Sequence, residues 1–549
     1  MKRLSLLILL CLAWLALPAA ARQVNFEATT CPFPAPEQAE IDCGYLTVPE
    51  SRLDPSGSQI SLAVAIVYSS SSNPLPDPVV YLEGGPGGSP LSDIESWLAS
   101  PILAQRNLIL FDQRGTGYSD PFLGCPAPED EQADAIDAAQ YCKDELDAAG
   151  INLSAYNSAE SAADINDLRL ALGIQSWNVY GISYGTRLGL TLLRNYPDGI
   201  RSVVLDSVNP PEVNVYEDQT PNALGAFFRL FEDCAASPAC NAAYPDLEAV
   251  FYQTVEDLNN SPGYVLDPES GEEIEFWGDD LANQLMQFLY SAEMIPYLPR
   301  MIYEASEGYF DTYDGLASGE LGVIEDTGGA DSFGGYAGDL ESVLEQIPPD
   351  VVEEMLYEYD FGSLDEVYAY AEELSDDEYA VLVDELAYYY LPEYGGVDGL
   401  DRSDSDGMYN SVDCSEELPF NAYDTAEAMS DLPDVPEVVE QALFYSVADQ
   451  FSICEIWDVD QPPALENERV FSDIPVLLMT GAYDPITPPA WANSAASGLS
   501  QGRLILFPTM GHGVTAYPCG ESIMMQFLDD PGADLDTDCI APSVDFVTQ

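Results

Sequence analysis

A serine set between glycines, an aspartate and a solitary histidine are the residues of this 549-residue chain whose types could do chemistry together. Ser183 stands in Gly181-Ile-Ser-Tyr-Gly185 and Asp484 in Thr480-Gly-Ala-Tyr-Asp-Pro-Ile-Thr487. His512, the one histidine of the sequence, stands in Met510-Gly-His-Gly-Val514. A neutral imidazole is the usual proton shuttle near neutral pH, a carboxylate steadies its charged form, and a hydroxyl that loses its proton to it becomes a nucleophile. A composition that has shed histidine everywhere else has little reason to keep one for packing alone. The residue types predict nucleophilic catalysis with Ser183 attacking, His512 as base and Asp484 orienting the imidazole. The structural alternatives are a packed histidine, a turn-forming Asp-Pro and a serine in an ordinary loop.

Presenting such a serine takes a strand, a sharp turn and a helix. The run Trp177-Asn-Val-Tyr180 reads as the strand, and apolar positions at Leu190 and Leu193 continue a helix toward Tyr196. Glycines at 181 and 185 let the backbone take a strained turn between them. Upstream, residues 60–68 read as a strand, and Val79-Val-Tyr-Leu82 as another that runs into Glu83-Gly-Gly-Pro-Gly-Gly88. Leu108-Ile-Leu-Phe111 then opens into Asp112-Gln-Arg-Gly-Thr-Gly-Tyr-Ser119. Helical patterns fall near 91–103 and 159–172. After Val203-Val-Leu-Asp206 the alternation breaks, to resume at Pro475-Val-Leu-Leu-Met479 and at Leu504-Ile-Leu-Phe507 before His512. The order serine, acid, histidine on alternating strands and helices predicts an α/β-hydrolase core. Its mostly parallel sheet is flanked by helices, and a large, mainly helical cap is inserted between the sixth and seventh core strands.

The expected organisation is a signal peptide over 1–21, core over 22–207, cap over 208–465 and core again over 466–549. Met1-Lys-Arg, the apolar stretch Leu4 to Leu17 and Ala19-Ala-Ala21 have the three regions of a secretory signal, with cleavage expected before Arg22. No later run is long and apolar enough to span a bilayer, so stable membrane insertion is not expected after cleavage. The expected location is extracellular, or periplasmic if the source has an outer membrane. In the cap, helical spacing runs over 340–355 and 364–390, and charge runs such as 372–378 read as solvated faces. Asp401-Arg-Ser-Asp-Ser-Asp-Gly407 hints at a calcium loop, but its register would put Arg402 in the first ligand position, so a plain loop is expected.

Of eleven cysteines, Cys11 leaves with the signal, and an even ten enter a compartment where disulfides persist. Pairing of chain neighbours gives Cys31 with Cys43, Cys125 with Cys142, Cys234 with Cys240, Cys414 with Cys454, and Cys519 with Cys539. With no CxxC pair and one histidine, a metal site is not expected. The 96 acidic against 16 basic residues give a formal charge of −80, and loss of Lys2 and Arg3 makes it −82. Basic patches that would hold nucleic acid or anionic membranes are missing, so neither is expected as a partner. Self-repulsion on this scale is screened by salt, which predicts a salt-tolerant or halophilic source and a melting temperature that rises toward molar salt. An acidic drift without salt requirement is the alternative. The sequence sets no oligomeric state.

The chain resembles exported tripeptidyl aminopeptidases and prolyl aminopeptidases of the α/β-hydrolase fold. The likeness is carried by Leu82-Glu-Gly-Gly-Pro-Gly-Gly88, Asp112-Gln-Arg-Gly-Thr-Gly117, Asp164 with Arg169-Leu-Ala-Leu-Gly173, Gly181-Ile-Ser-Tyr-Gly-Thr186, Val204-Leu-Asp206, and Thr480 to Pro488. Prolyl aminopeptidases usually carry histidine before the glycine loop, whereas Glu83 here is more like the tripeptidyl branch. The resemblance implies peptide substrates with free N-termini, cut into short peptides (tripeptides) or single residues through an acyl-enzyme, with no cofactor. It also implies an acidic residue two positions after a cap cysteine, which offers Glu416, after Cys414, as an anchor for the substrate amine; a solvated Glu416 is the alternative. The oxyanion would be held by backbone amides of Tyr184 and Gly85, while Asp112 and Arg114 brace the loop after their strand. A secreted carboxylesterase or lipase would use the same three residues, and a non-catalytic binding protein could keep the fold alone.

Overall fold

The run Val79-Val-Tyr-Leu82 is apolar on both faces, as a strand covered from both sides must be. In the computed structural model it is β4 (Val79–Leu82), fully buried. The structure describes residues 25–33, 36, 39–125, 134–266, 273–322 and 401–548. Between 323 and 400 it describes only 340, 344, 352, 356, 363–371, 382, 383 and 386. The expected signal peptide, the charge run 372–378 and most of the two cap stretches at 340–355 and 364–390 lie outside the described residues; Leu364–Ala371 is helical.

Nine strands form one sheet. They are β1 (Asn25–Thr29), β2 (Ile41–Pro49), β3 (Gln59–Val67), β4, β5 (Leu108–Phe111), β6 (Trp177–Ile182), β7 (Ile200–Asp206), β10 (Val476–Gly481) and β11 (Gly502–Phe507). They lie in the order β1-β2-β3-β5-β4-β6-β7-β10-β11. β1, β2, β3 and β5 pair antiparallel, and every pairing from β5 to β11 is parallel. Seven strands of the sheet precede the insertion where six were expected, and β1 and β2 are the two that the sequence patterns did not mark. β8 (Gly263–Leu266) and β9 (Glu273–Phe276) form a separate antiparallel pair within the inserted segment.

Side-chain alternation along each strand feeds two different cores. Val80 and Leu82 join Ile109, Phe111, Val179 and Leu205 on one face, under the helices Ala135–Ala149, Ser158–Ala171 and Tyr184–Asn195. Val79 and Tyr81 join Leu108, Tyr180, Leu477 and Met479 on the other, against Ile523 and Phe527 of the helix Pro518–Asp529. The segment between β7 and β10 has a third core of its own, built on Phe227, Phe231, Phe251, Leu281, Leu285 and Ile302. One long helix, Glu437–Trp457, ties the inserted segment to the sheet: Val439 and Leu443 enter the third core, while Ile453 and Trp457 enter the first. Burying apolar surface at roughly 25 cal/mol per Å2 anchors this helix at both ends.

The ten cysteines are joined as Cys31–Cys43, Cys125–Cys142, Cys234–Cys240, Cys414–Cys454 and Cys519–Cys539. Cys414–Cys454 fastens the helix Asp406–Glu416 to the tying helix. No helix among the described residues is long and apolar enough to cross a membrane.

Candidate active site

Ser183 sits where β6 turns into the helix Tyr184–Asn195, with φ 52° and ψ −124°, a strained conformation for a residue with a side chain. Only glycines fit around it. A Cβ on Gly181 would collide with the Gly185 carbonyl, and one on Gly185 would collide with the Leu82 carbonyl of the neighbouring strand. The turn is fixed by the Thr186 amide and hydroxyl, which both donate to the Ser183 carbonyl oxygen, at 2.9 and 2.6 Å. The Tyr184 amide opens the helix, among the first N–H groups that a helix leaves without an internal partner.

The end of β4 lies against this turn. A Cβ on Gly84 would stand 3.3 Å from that of Ser183, so the glycine loop runs past the hydroxyl, with Gly85 next at φ 101°. Glu83 is half-buried at the start of the loop and accepts from the Gly84 amide at 2.8 Å and the Tyr81 hydroxyl at 3.0 Å. Asp112 braces the far end, accepting from Ser89 Oγ at 2.8 Å and the Tyr118 amide at 2.7 Å. Burial, against these hydrogen bonds, pushes its carboxyl up to about 7. Arg114 is buried between Asp164 and the carbonyls of Glu50 and Ala155. Both residues thus hold loops, as expected. The stretch 401–405 is irregular, and the Ser403 carbonyl accepts from the Ser89 amide at 2.9 Å, so it too presses on the glycine loop.

His512 and Asp484 meet at the carboxyl ends of β11 and β10. His512 Nδ1 donates to Asp484 Oδ2 at 2.9 Å, which leaves Nε2 as the nitrogen that can accept a proton. Burial alone would raise the Asp484 carboxyl, but His512 beside it and hydrogen bonds from Thr487 outweigh burial and hold it below the ordinary carboxylate range. Thr487 donates from its amide at 2.8 Å and from Oγ1 at 2.6 Å, and Oγ1 lies 3.2 Å from His512 Nδ1. Sequence reasoning missed Thr487; its place three residues after Asp484 is the spacing at which a turn carboxylate captures its own backbone. Also unforeseen were Asp206, which accepts from the Val514 and Thr515 amides and pins the histidine loop, and Tyr290. The Tyr290 ring packs 5.1 Å from the imidazole, and its carbonyl accepts from the His512 amide at 2.9 Å.

Glu416 departs from the solvated alternative. It is 1% exposed, and its carboxylate accepts from the Ser158 amide at 2.5 Å, from Ser158 Oγ at 2.6 Å and from Arg187 Nε at 3.2 Å. It does not face solvent, and through these contacts it braces the Ser183 helix against the start of the helix Ser158–Ala171. Among the described residues no group of three or more His, Cys, Asp or Glu is arranged to hold a metal ion.

The alpha/beta hydrolase fold model matches residues 77–284, the stretch that carries β4 to β7 and the Ser183 turn. A TAP-like protein model matches residues 442–539, which carry Asp484 and His512. The chain has the α/β-hydrolase fold. Among its relatives, a tripeptidyl aminopeptidase of Streptomyces coelicolor is 31% identical over 228 residues, 37% of this chain and 42% of that protein. A carboxylesterase B of Mycobacterium tuberculosis is 28% identical over 327 residues, 55% of this chain and 60% of that one. Serine protease Hip1 of the same species is 26% identical over 241 residues, covering 39% and 46%. The chain spans about half the length of these relatives.

Proposed function

We propose that this hydrolase is an exported serine exopeptidase that releases short peptides (tripeptides) or single residues from the free N-termini of peptides. On this reading residues 1–21 are a signal peptide, 208–465 form the cap, and 22–207 with 466–549 form the catalytic core. The observation that carries the reading is the 2.9 Å contact between Asp484 and His512 at the strand ends that flank the strained Ser183 turn. Likeness to an aminopeptidase and a serine protease supports a peptide as substrate.

Ser183 Oγ attacks the scissile carbonyl while His512 Nε2 takes its proton, and Asp484 stabilises the imidazolium that results. Negative charge on the carbonyl oxygen falls to the amides of Tyr184 and Gly85, aided by the positive end of the helix. The C–N bond breaks as His512 returns the proton to the leaving amine. Water then attacks the acyl-enzyme with His512 again as base, which restores Ser183 and frees the N-terminal fragment as an acid.

The test is hydrolysis of fluorogenic Ala-Ala-Pro, Ala and Pro amides with free and acetylated N-termini, beside a fluorogenic ester and the Ser183→Ala variant. Cleavage of free but not acetylated amides, with kcat falling roughly 10^6-fold in the variant, is the expected outcome. Hydrolysis of the ester alone would move the assignment to a carboxylesterase, the second reading, which the likeness to carboxylesterase B favours.

A further inference from the structure

After the helix Gly278–Phe288 of the inserted segment the chain bends through residues 289–297, and there it meets the loop that carries His512. The approach is backbone against backbone. The His512 amide donates to the Tyr290 carbonyl oxygen at 2.9 Å, and a Cβ on Gly511 would collide with the carbonyl oxygens of Leu289 and Tyr290. Glycine at 511 is therefore what lets the two stretches touch. The Tyr290 side chain completes the contact. Its ring centre lies 5.1 Å from that of the imidazole, with the planes at 52°, inside the range over which aromatic rings attract one another. Burial, with the charge of Asp484 second, pushes the Tyr290 hydroxyl up, so the ring beside the imidazole stays neutral.

The turn that offers Tyr290 is moored from several sides. Leu289 and Ile295 are buried in the inserted segment's own core. Tyr517, at the start of the helix Pro518–Asp529, accepts from the Ala292 amide at 2.9 Å and donates to Glu293 Oε2 at 2.7 Å. The end of the chain adds a further tie: Phe546 enters the same core, and the Val547 amide donates to the Pro296 carbonyl oxygen at 3.0 Å. A turn tied to the helix that follows the histidine loop moves with that loop, so the Tyr290 ring keeps its place against His512.

We propose that Tyr290 is a positioning residue for His512, so that the inserted segment helps to set the base as well as to cover the site. A base must keep Nδ1 on its carboxylate while Nε2 takes a proton from the serine, and a misplacement of about 1 Å can cost roughly 100-fold in rate. The bond to Asp484 holds one edge of the imidazole and leaves the ring able to rock about that bond. The Tyr290 ring beside it closes that freedom, and the Tyr290 carbonyl fixes the backbone from which the side chain starts. Asp206 and Ser207 hold the amides of residues 513–515 from the end of β7, so they steady the loop without touching the ring through any of these bonds. The inference rests on the reading of Ser183, Asp484 and His512 as the catalytic set, and it holds for whichever substrate they serve.

The test uses protein purified without a histidine tag, so that His512 supplies the single imidazole in its NMR spectra. Kinetics on the free Ala-Ala-Pro amide and on a fluorogenic ester are compared for wild type, Tyr290→Leu, Tyr290→Phe and Tyr517→Phe, and the Nδ1 proton bonded to Asp484 is followed by NMR. The expected result in Tyr290→Leu is a fall in kcat of roughly 10- to 100-fold with KM changed less than about threefold, and a broadened Nδ1 proton signal. Tyr290→Phe keeps the ring and should restore both the signal and a kcat within about twofold of wild type. Tyr517→Phe leaves Tyr290 in place but frees its turn, and should give a smaller fall of the same kind. A wild-type kcat in Tyr290→Leu would overturn the proposal, and so would a change confined to KM, which would put Tyr290 in substrate contact. Equal losses in the Leu and Phe variants would also overturn it, since the hydroxyl and not the ring would then matter. Should Tyr290→Leu fail to fold, Tyr517→Phe decides by the same split between kcat and KM. A wild type that hydrolyses the ester alone would remove the exopeptidase reading and leave Tyr290 to be judged on the ester. One that hydrolyses neither substrate, with Ser183 unlabelled by a fluorophosphonate, would overturn both.

Discussion

Asp484 and Glu417 are both carboxylates shut away from solvent near the Ser183 turn, and their surroundings treat them oppositely. Asp484 receives the Ile486 and Thr487 amides, the Thr487 hydroxyl and the His512 ring. Glu417 has half a share in Arg187 and no aimed hydrogen bond. Burial raises both carboxyls, but only at Asp484 do donors outweigh it, so that one falls below the ordinary range and the other climbs to about 8. The difference teaches that depth alone says nothing about the charge a buried acid carries; the count of donors aimed at it does. One acid has its charge settled by aimed donors, and the other shares a single arginine.

Removing the settled charge has the largest expected effect. Asp484→Asn keeps the shape but offers His512 Nδ1 an amide, and the imidazole loses both its tautomer and its counter-charge. A fall in kcat of roughly 10^4-fold is expected with KM little changed, measured on the free Ala-Ala-Pro amide. A loss below tenfold would mean that Asp484 only shapes the turn. Thr487→Val sharpens the same side of the comparison, since it removes one donor and leaves the carboxylate. It is expected to lower kcat by about tenfold, the cost of one hydrogen bond to a charged group. A change confined to KM would instead place Thr487 in substrate contact.

The settled end was also the legible one. Ser183 could be read from Gly181 and Gly185, because the collisions that exclude larger residues there are local to the turn. His512 could be read because it is the only one. Asp484 followed from its strand, but its donor Thr487 lay in the quoted string without being recognised, since a side-chain turn has no periodicity. The burial of Glu416 was not legible because its partners, Ser158 and Arg187, lie hundreds of residues away and come close only when the helix Asp406–Glu416 folds onto the core. Tyr290 is hidden for the same reason: it reaches His512 from the inserted segment across 222 residues of sequence. The edge strand β1 was missed because its five residues, Asn25–Thr29, show little apolar alternation.

The smallest expected effect probes the unsettled end through stability. A carboxyl whose folded value is raised binds its proton more tightly in the native state. Its contribution is complete below the ordinary carboxylate range and is lost as pH rises through the folded value, about 6 for Asp413 and about 8 for Glu417. Asp484 has the opposite sign, because its lowered value stabilises the fold above the ordinary range and fails only in acid. The apparent melting temperature should therefore fall between pH 5 and 9 once salt has screened the general repulsion of an 80-fold negative chain. Glu417→Gln cannot ionise, so it should remove the part of that fall above pH 7 and melt about 2 °C higher than wild type at pH 9 while matching it at pH 5. Equal slopes in the two proteins would mean that Arg187 already neutralises Glu417, and the contrast with Asp484 would collapse to one of degree. A flattened slope would instead show the acid held against its own charge.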